Sequence, residues 1–345
     1  MSVDKHLYGQ DLFGDSAAPK PAGVVKERFG FPPFSVLDGR QGDWTERKRA
    51  WTALGLQSEI GRGGDLVYDQ SILSNAMSRP RAPTAAPGGT NMLAGYTADG
   101  QRQVGLVAES GTSIFDPVLC ELLYRWFCPA GGQVLDPFAG GSVRGIVAKA
   151  LGLRYWGCDL RQEQIDANVE QATTIFPGYD GLTGDLLGGP DLQWVCGDSA
   201  ETLSGAPQAD FVLSCPPYGD LELYSHDPRD LSNMSWAEFL EAYETIITRT
   251  TWRLKPDSFA AFVVGDFCDD SGAYRNFVSR TIELWEANHC RLYNEAILVS
   301  PVGSAAIRVT RQFSGGRKLV KLHQSVLVFV KGDWRRAVAK LQEVE

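Results

Sequence analysis

The chain has 345 residues, 22% of them charged, and a formal net charge of −9, long enough for one large domain with an appendage and a proper core. Its seven cysteines, at 120, 128, 158, 196, 215, 268 and 290, form no C-x-x-C pair, and its four histidines are isolated from one another, which speaks against a disulfide framework and against a metal site. No apolar run reaches membrane length and the N-terminus is polar from the start, so a soluble protein of a reducing cytoplasm is expected, with no membrane partner. The charge is unevenly placed. Residues 1–105 hold 12 basic and 11 acidic side chains, residues 106–300 hold 12 and 28, and residues 301–340 hold 9 and 1. A basic C-terminal segment suits phosphate contact and an acidic middle suits a cofactor domain, a solvated basic face being the alternative.

Residues 1–105 show no clear strand–helix alternation and read as an N-terminal extension ahead of a main domain at 106–345. Phe31-Pro32-Pro33-Phe34-Ser35-Val36-Leu37 is aromatic and proline-rich, which predicts extended or turn-like backbone. The spacing predicts a helix over 43–54 with Asp43 as N-cap. Trp44 and Trp51 fall on one face, with Arg47, Lys48 and Arg49 between them. That pattern serves packing on the main domain, or a DNA contact by the basic run. The Pro-, Ala- and Arg-rich stretch 78–89 reads as a linker or mobile loop.

Thr112-Ser113-Ile114-Phe115-Asp116-Pro117 leads into a helix over 118–127, with Asp116 placed to cap it and Pro117 at its first position. Next comes Val134-Leu135-Asp136-Pro137-Phe138-Ala139-Gly140-Gly141-Ser142, a short apolar run ending in an acid and a glycine turn, followed by a helix to about 152. Strand, glycine loop and helix in this order let backbone approach a nucleotide-like ligand. A second strand, Tyr155-Trp156-Gly157-Cys158-Asp159, ends in an acid 23 positions after Asp136, an offset that suits a grip on ribose hydroxyls. A third, Trp194-Val195-Cys196-Gly197-Asp198-Ser199, ends in an acid again.

The stretch Val212-Leu213-Ser214-Cys215-Pro216-Pro217-Tyr218 then begins as a buried strand and breaks on two prolines. They fix φ and remove two donors, leaving nearby carbonyls free to accept hydrogen bonds beside the Tyr218 ring. A planar heterocycle with an exocyclic amino group fits such a site; an ordinary strand exit is the bland alternative. A polar loop over 219–235 is expected to close over such a ligand. Apolar spacing at Phe239, Leu240, Tyr243, Ile246 and Ile247 predicts a helix over 236–254. A strand at 258–266, a helix at 274–288 and strands at 292–299 and 325–330 complete the pattern. Between the last two strands, 301–323 reads as a mobile basic loop carrying Arg308, Arg311, Arg317 and Lys318 around Gly315-Gly316 toward nucleic acid. Seven strands alternating with helices imply a doubly wound, mostly parallel sheet.

On the Asp136–Ser142 and Cys215–Tyr218 motifs, in that order, the chain resembles the amino-methylating DNA methyltransferases that use S-adenosylmethionine, over roughly 110–332. The resemblance implies an α/β, Rossmann-like seven-stranded class I methyltransferase sheet, with the last strand inserted antiparallel. It implies cofactor contacts from Thr112, Ser113, Phe115, Asp136, Pro137, Phe138, Ala139, Gly140, Gly141, Asp159, Leu160, Asp198 and Ser199. The side chains before the glycine loop would lie over the methionine end. It implies catalysis by Ser214, Cys215, Pro216, Pro217 and Tyr218, on duplex DNA with a flipped base. The N-terminal segment is similar to that of phage and prophage methylases, which suggests the cytoplasm of a bacterium or phage-infected cell and a restriction–modification setting, as monomer or homodimer.

Two departures stand out: Gly140-Gly141-Ser142 where Gly-Ser-Gly is usual, and Cys215 where Ser, Asp or Asn precedes the prolines. In the expected chemistry the substrate NH2 donates to the Pro216 carbonyl and to the residue-215 side chain, and no strong general base is needed. A thiol is a weak acceptor, so Ser214 could stand in. N4 of cytosine is favoured over N6 of adenine. Cytosine C5 methylation with Cys215 as nucleophile, an RNA base substrate and an inactive nucleic-acid-binding relative stay open. Recognition falls by elimination on 1–105 and the loops at 219–235 and 301–323, which suggests a short or loosely read target. A dehydrogenase is disfavoured, since G-x-G-x-x-G is absent.

Overall fold

The computed structural model describes residues 31–56, 115–179, 192–219, 224–302 and 305–341. Thr112, Ser113 and the 78–89 stretch lie outside the described residues. The strands are β1 (Val36–Asp38), β2 (Gln133–Asp136), β3 (Arg154–Asp159), β4 (Leu192–Cys196), β5 (Ala209–Ser214), β6 (Leu254–Val264), β7 (Cys290–Val299) and β8 (His323–Lys331). The helices are α1 (Gly42–Ala53), α2 (Pro117–Phe127), α3 (Val143–Ala150), α4 (Gln162–Ile175), α5 (Ser199–Thr202), α6 (Trp236–Arg253), α7 (Phe277–Ala287), α8 (Ala305–Gly316) and α9 (Trp334–Val338).

All eight strands share one sheet in the order β1-β7-β8-β6-β5-β2-β3-β4. Only β8 runs antiparallel, between β6 and β7. The fold is a Rossmann-like, doubly wound α/β sheet with one antiparallel strand inserted, enlarged by a strand that the sequence reading missed. Val36–Asp38 pairs in parallel with Ile297–Val299, so part of the N-terminal segment extends the main sheet. Three residues beside two prolines carry too little pattern to announce a strand.

The sheet is buried on both faces, as parallel strands require. Along β6, Phe259, Ala261 and Val263 face one core, with α1 to α4 over it. Ala260, Phe262 and Val264 face the other, with α6 and α7 over it. Chain order reverses between β2 and β5, which are paired. Ligands of doubly wound sheets bind at such a switch point, outside the carboxyl ends of the strands.

Local chemistry sets the helix starts. Asp116 caps α2 by accepting from Val118 N at 2.9 Å and Leu119 N at 3.3 Å, with Pro117 first in the helix. Ser235 and Glu238 form a capping box on α6. Asp43 is not the N-cap of α1: Gln41 holds that place, and Asp43 lies inside the first turn, where its charge suits the helix dipole. The helix expected from 274 starts at Phe277, because Tyr274 bridges to Cys268 and Asn276 sits at φ 55°. The largest correction is at 301–323, where α8 replaces the expected loop. Gly315-Gly316 suggested a loop, yet they end the helix, with Arg317 left-handed at φ 52° behind them.

Candidate active site

Asp136 and Ser214 end the two strands that flank the switch point, and Ser214 Oγ donates to Asp136 Oδ1 at 2.6 Å. Asp136 is wholly buried. Its other oxygen takes Arg144 Nε at 2.5 Å and the Tyr155 hydroxyl at 2.7 Å. Arg144, also buried, continues to the carbonyls of Phe138 at 2.6 Å and Ala139 at 2.8 Å. Burial alone would lower the Arg144 pKa; the adjacent Asp136 charge outweighs it and keeps the guanidinium charged. The ion pair thus holds the glycine loop by its backbone. Asp136 and Ala139 are not among the residues lining the cavity above, and the Ser214 hydroxyl is committed to Asp136 beneath it.

Above this floor lies a cavity of about 340 Å³, within the roughly 300–1,000 Å³ of small-molecule sites. Its walls bring together Phe115, Pro137, Phe138, Gly140, Gly141, Asp159, Leu160, Asp198, Ser199, Cys215, Pro216, Pro217 and Tyr218. On one side Gly140 turns at φ 48°, and its N–H donates to Asp159 Oδ2 at 3.0 Å. Asp159 Oδ1 accepts from Arg161 N at 2.9 Å. Burial is the main reason that the Asp159 pKa is raised. The Gly140 carbonyl accepts from Asn168 Nδ2 at 2.7 Å, and Ser199 Oγ donates to the Pro137 carbonyl at 2.5 Å. Asp198 caps α5 through Ala200 N at 2.8 Å. Carboxylates at the ends of β3 and β4 thus border the cavity beside backbone that a glycine opens. That donor and acceptor set suits a nucleoside: hydroxyls on Asp159, an exocyclic amine near Asp198.

On the other side the chain leaves β5 through Cys215, Pro216, Pro217 and Tyr218. No donor among the described residues is paired with the Pro216 carbonyl. The Tyr218 ring packs against Phe267 and Phe277, each at 6.2 Å between centroids. Gln324 Nε2 at the start of β8 donates to its hydroxyl at 2.6 Å. The Cys215 thiol lies 3.9 Å from the same hydroxyl. Burial, ahead of neighbouring Cys215, pushes the Tyr218 phenol well above its ordinary value, so it stays protonated at neutral pH. Tyr224, Asp230 and Leu231 complete this side. Within the described part of the expected polar loop, from residue 224 on, Ser225 Oγ donates to Asp230 Oδ2 at 2.7 Å.

Beyond the rim, α8 exposes Arg308 and Arg311, and Arg317 follows it, also exposed. The Lys318 ammonium donates to the Gly272 carbonyl and lies 5.5 Å from the Tyr274 ring centroid. In α1, Arg47 pairs with Glu121 and Lys48 with Asp116, while Trp44 and Trp51 are buried against α2. The tryptophans therefore pack on the main domain. Among the described residues no group of three or more His, Cys, Asp or Glu is arranged to hold a metal, and no helix is long and apolar enough to cross a membrane.

No protein-family profile matches the chain, and no curated protein does. Among solved structures it is similar to TrmN from Thermus thermophilus, with 17% identity over 62% of this chain and 48% of that one and a TM-score of 0.39. A precorrin-6y C5,15-methyltransferase from Geobacter metallireducens shares 10% identity over 64% and 90% of the two chains, TM-score 0.38. A proposed DNA modification methylase, also from Thermus thermophilus, shares 16% over 39% and 50%, TM-score 0.29. The chain spans about half the length of TrmN.

Proposed function

We propose that the chain is an S-adenosylmethionine-dependent methyltransferase that methylates an exocyclic amino group of a DNA base, N4 of cytosine ahead of N6 of adenine. The observation that carries this reading is one cavity with two halves. The glycine loop with Asp159 and Asp198 forms one, and Cys215-Pro216-Pro217-Tyr218 forms the other. A nucleoside cofactor fits the first half by its acceptors and by the glycine-only turn at Gly140. S-adenosylmethionine, when bound, supplies an electrophilic methyl group on a sulfonium.

The chain's own residues do the rest by position. Tyr218, fixed by Gln324 and two phenylalanines, offers its ring as a stacking platform for a planar base. The Pro216 carbonyl accepts one N–H of the amino group and holds that proton in place, which favours a more tetrahedral, more nucleophilic nitrogen. No histidine and no activated carboxylate is required: as the methyl carbon–sulfur bond breaks and S-adenosylhomocysteine leaves, the methylated nitrogen sheds its extra proton to water. A base in a duplex cannot reach a ring set this deep, so it must be flipped out. The exposed Arg308, Arg311 and Arg317 supply positive charge for the phosphate backbone.

Transfer of tritiated methyl groups to duplex DNA, single-stranded DNA and total RNA tests the reading. Incorporation into DNA supports it. Incorporation into RNA alone would overturn the DNA assignment.

A further inference from the structure

We infer that the N-terminal segment completes the cofactor site, with Lys48 of α1 and Asp116 gripping the amino-acid end of S-adenosylmethionine. This rests on the cofactor reading above and extends it to a residue outside the methyltransferase motifs.

Lys48 and Asp116 both line the cavity, Gly39 beside them. Their ion pair measures 3.1 Å between Nζ and Oδ2. Oδ1 of Asp116 is committed to Val118 N, Leu119 N and, at 3.2 Å, Trp44 Nε1. Among the described residues Oδ2 accepts from Lys48 alone, and Lys48 donates to Asp116 alone. An ammonium has three donors and a carboxylate oxygen two lone pairs. The pair therefore offers two N–H groups and one acceptor site side by side, the complement of an α-carboxylate next to an α-ammonium.

Charge along the cavity agrees. Asp159 and Asp198 at the ends of β3 and β4 would repel a carboxylate, so that end takes the nucleoside. Of the other cations in the wall, Arg144 is spent on Asp136 and two carbonyls. Arg161 donates to Gln164 Oε1 and Arg229 to both oxygens of Asp227. Lys48 is held in place although half exposed, because Trp44 and Trp51 on the same helix are buried against α2. Part of the segment that elimination assigned to target recognition thus serves the cofactor.

The test is the affinity, by calorimetry, of the whole chain for S-adenosylhomocysteine and for 5′-methylthioadenosine, which keeps the nucleoside and sulfur but lacks the amino-acid tail. In Lys48→Met the affinity for S-adenosylhomocysteine should fall about tenfold, the order of one charge-assisted hydrogen bond. Affinity for 5′-methylthioadenosine should stay unchanged, and Lys48→Arg should restore most of the loss. A Lys48→Met protein that loses neither affinity, or loses both alike, overturns the inference while leaving the cofactor assignment intact. Wild-type protein that binds neither ligand overturns the cofactor assignment itself.

Discussion

Removing the Asp136 carboxylate would unbalance the floor of the site from several directions at once. In Asp136→Ala the Arg144 guanidinium, its side chain 5% exposed, keeps its charge with no counter-ion. Breaking a buried pair from one side costs about 3–5 kcal/mol. Tyr155 and Ser214 also lose their acceptor, so the upper end of that range is expected. Unfolding entropy near 60 °C is about 2.1 cal/mol/K per residue. For 345 residues that is roughly 0.7 kcal/mol per degree, so Tm should drop by about 7 °C. The discriminating variant is Asp136→Ala with Arg144→Met. Removing both charges should cost less than the two single losses together, by about 2 kcal/mol or more, because no buried charge is stranded. Thermal unfolding by circular dichroism at one protein concentration reads all four proteins. Losses that add to within about 0.5 kcal/mol would refute the idea that the pair acts as a unit holding the glycine loop.

Substitutions at three further positions probe other parts of the structure. Tyr218→Ala removes a stacking surface that is typically worth about 1–3 kcal/mol per base. KM for nucleic acid should rise about ten- to hundredfold with S-adenosylhomocysteine affinity unchanged, and an equal loss in Tyr218→Phe would shift the role to the hydroxyl. Gly145→Ala improves helix propensity in α3, yet its Cβ would stand 2.5 Å from Trp194 Cζ2 and 2.9 Å from Leu192 Cδ1. Overpacking should win, by about 1–3 kcal/mol of lost stability; a rise in Tm would contradict this. Burial raises the Glu121 pKa, but hydrogen bonds from Arg47 and Trp51 outweigh it and set the group below its ordinary 4.5. The folded state therefore binds that proton only at lower pH than the unfolded chain. The stabilisation is full at neutral pH and fades as pH falls through the folded pKa. The Tm gap between wild type and Glu121→Gln should shrink on acidification below about pH 4.5; a constant gap would contradict it.

The motifs were legible because their chemistry is local. A proline pair, a glycine turn and an acid at a strand end announce themselves within a few residues, and Phe115, Gly140, Asp159, Asp198 and Tyr218 indeed border one cavity. Division of labour among them was not legible. Asp136 reads as a ligand contact by its position, yet Arg144, eight residues on, turns it into buried scaffold. An arginine in an apolar helix was the available signal. Gln324 meets Tyr218 across 106 positions and Lys48 meets Asp116 across 68; pairings set by sheet order leave no trace in spacing. Basic residues around Gly315-Gly316 suggested a loop over 301–323, although Val309 and Phe313, four apart, carry helical spacing.

Nucleoside mass spectrometry after incubation with labelled S-adenosylmethionine and unmodified duplex DNA decides whether this site methylates an amino nitrogen. The proposed function predicts label in N4-methylcytosine. Label in N6-methyladenine would keep the amino chemistry and reverse the base preference. Label in 5-methylcytosine would contradict amino methylation and make the Cys215 thiol the nucleophile.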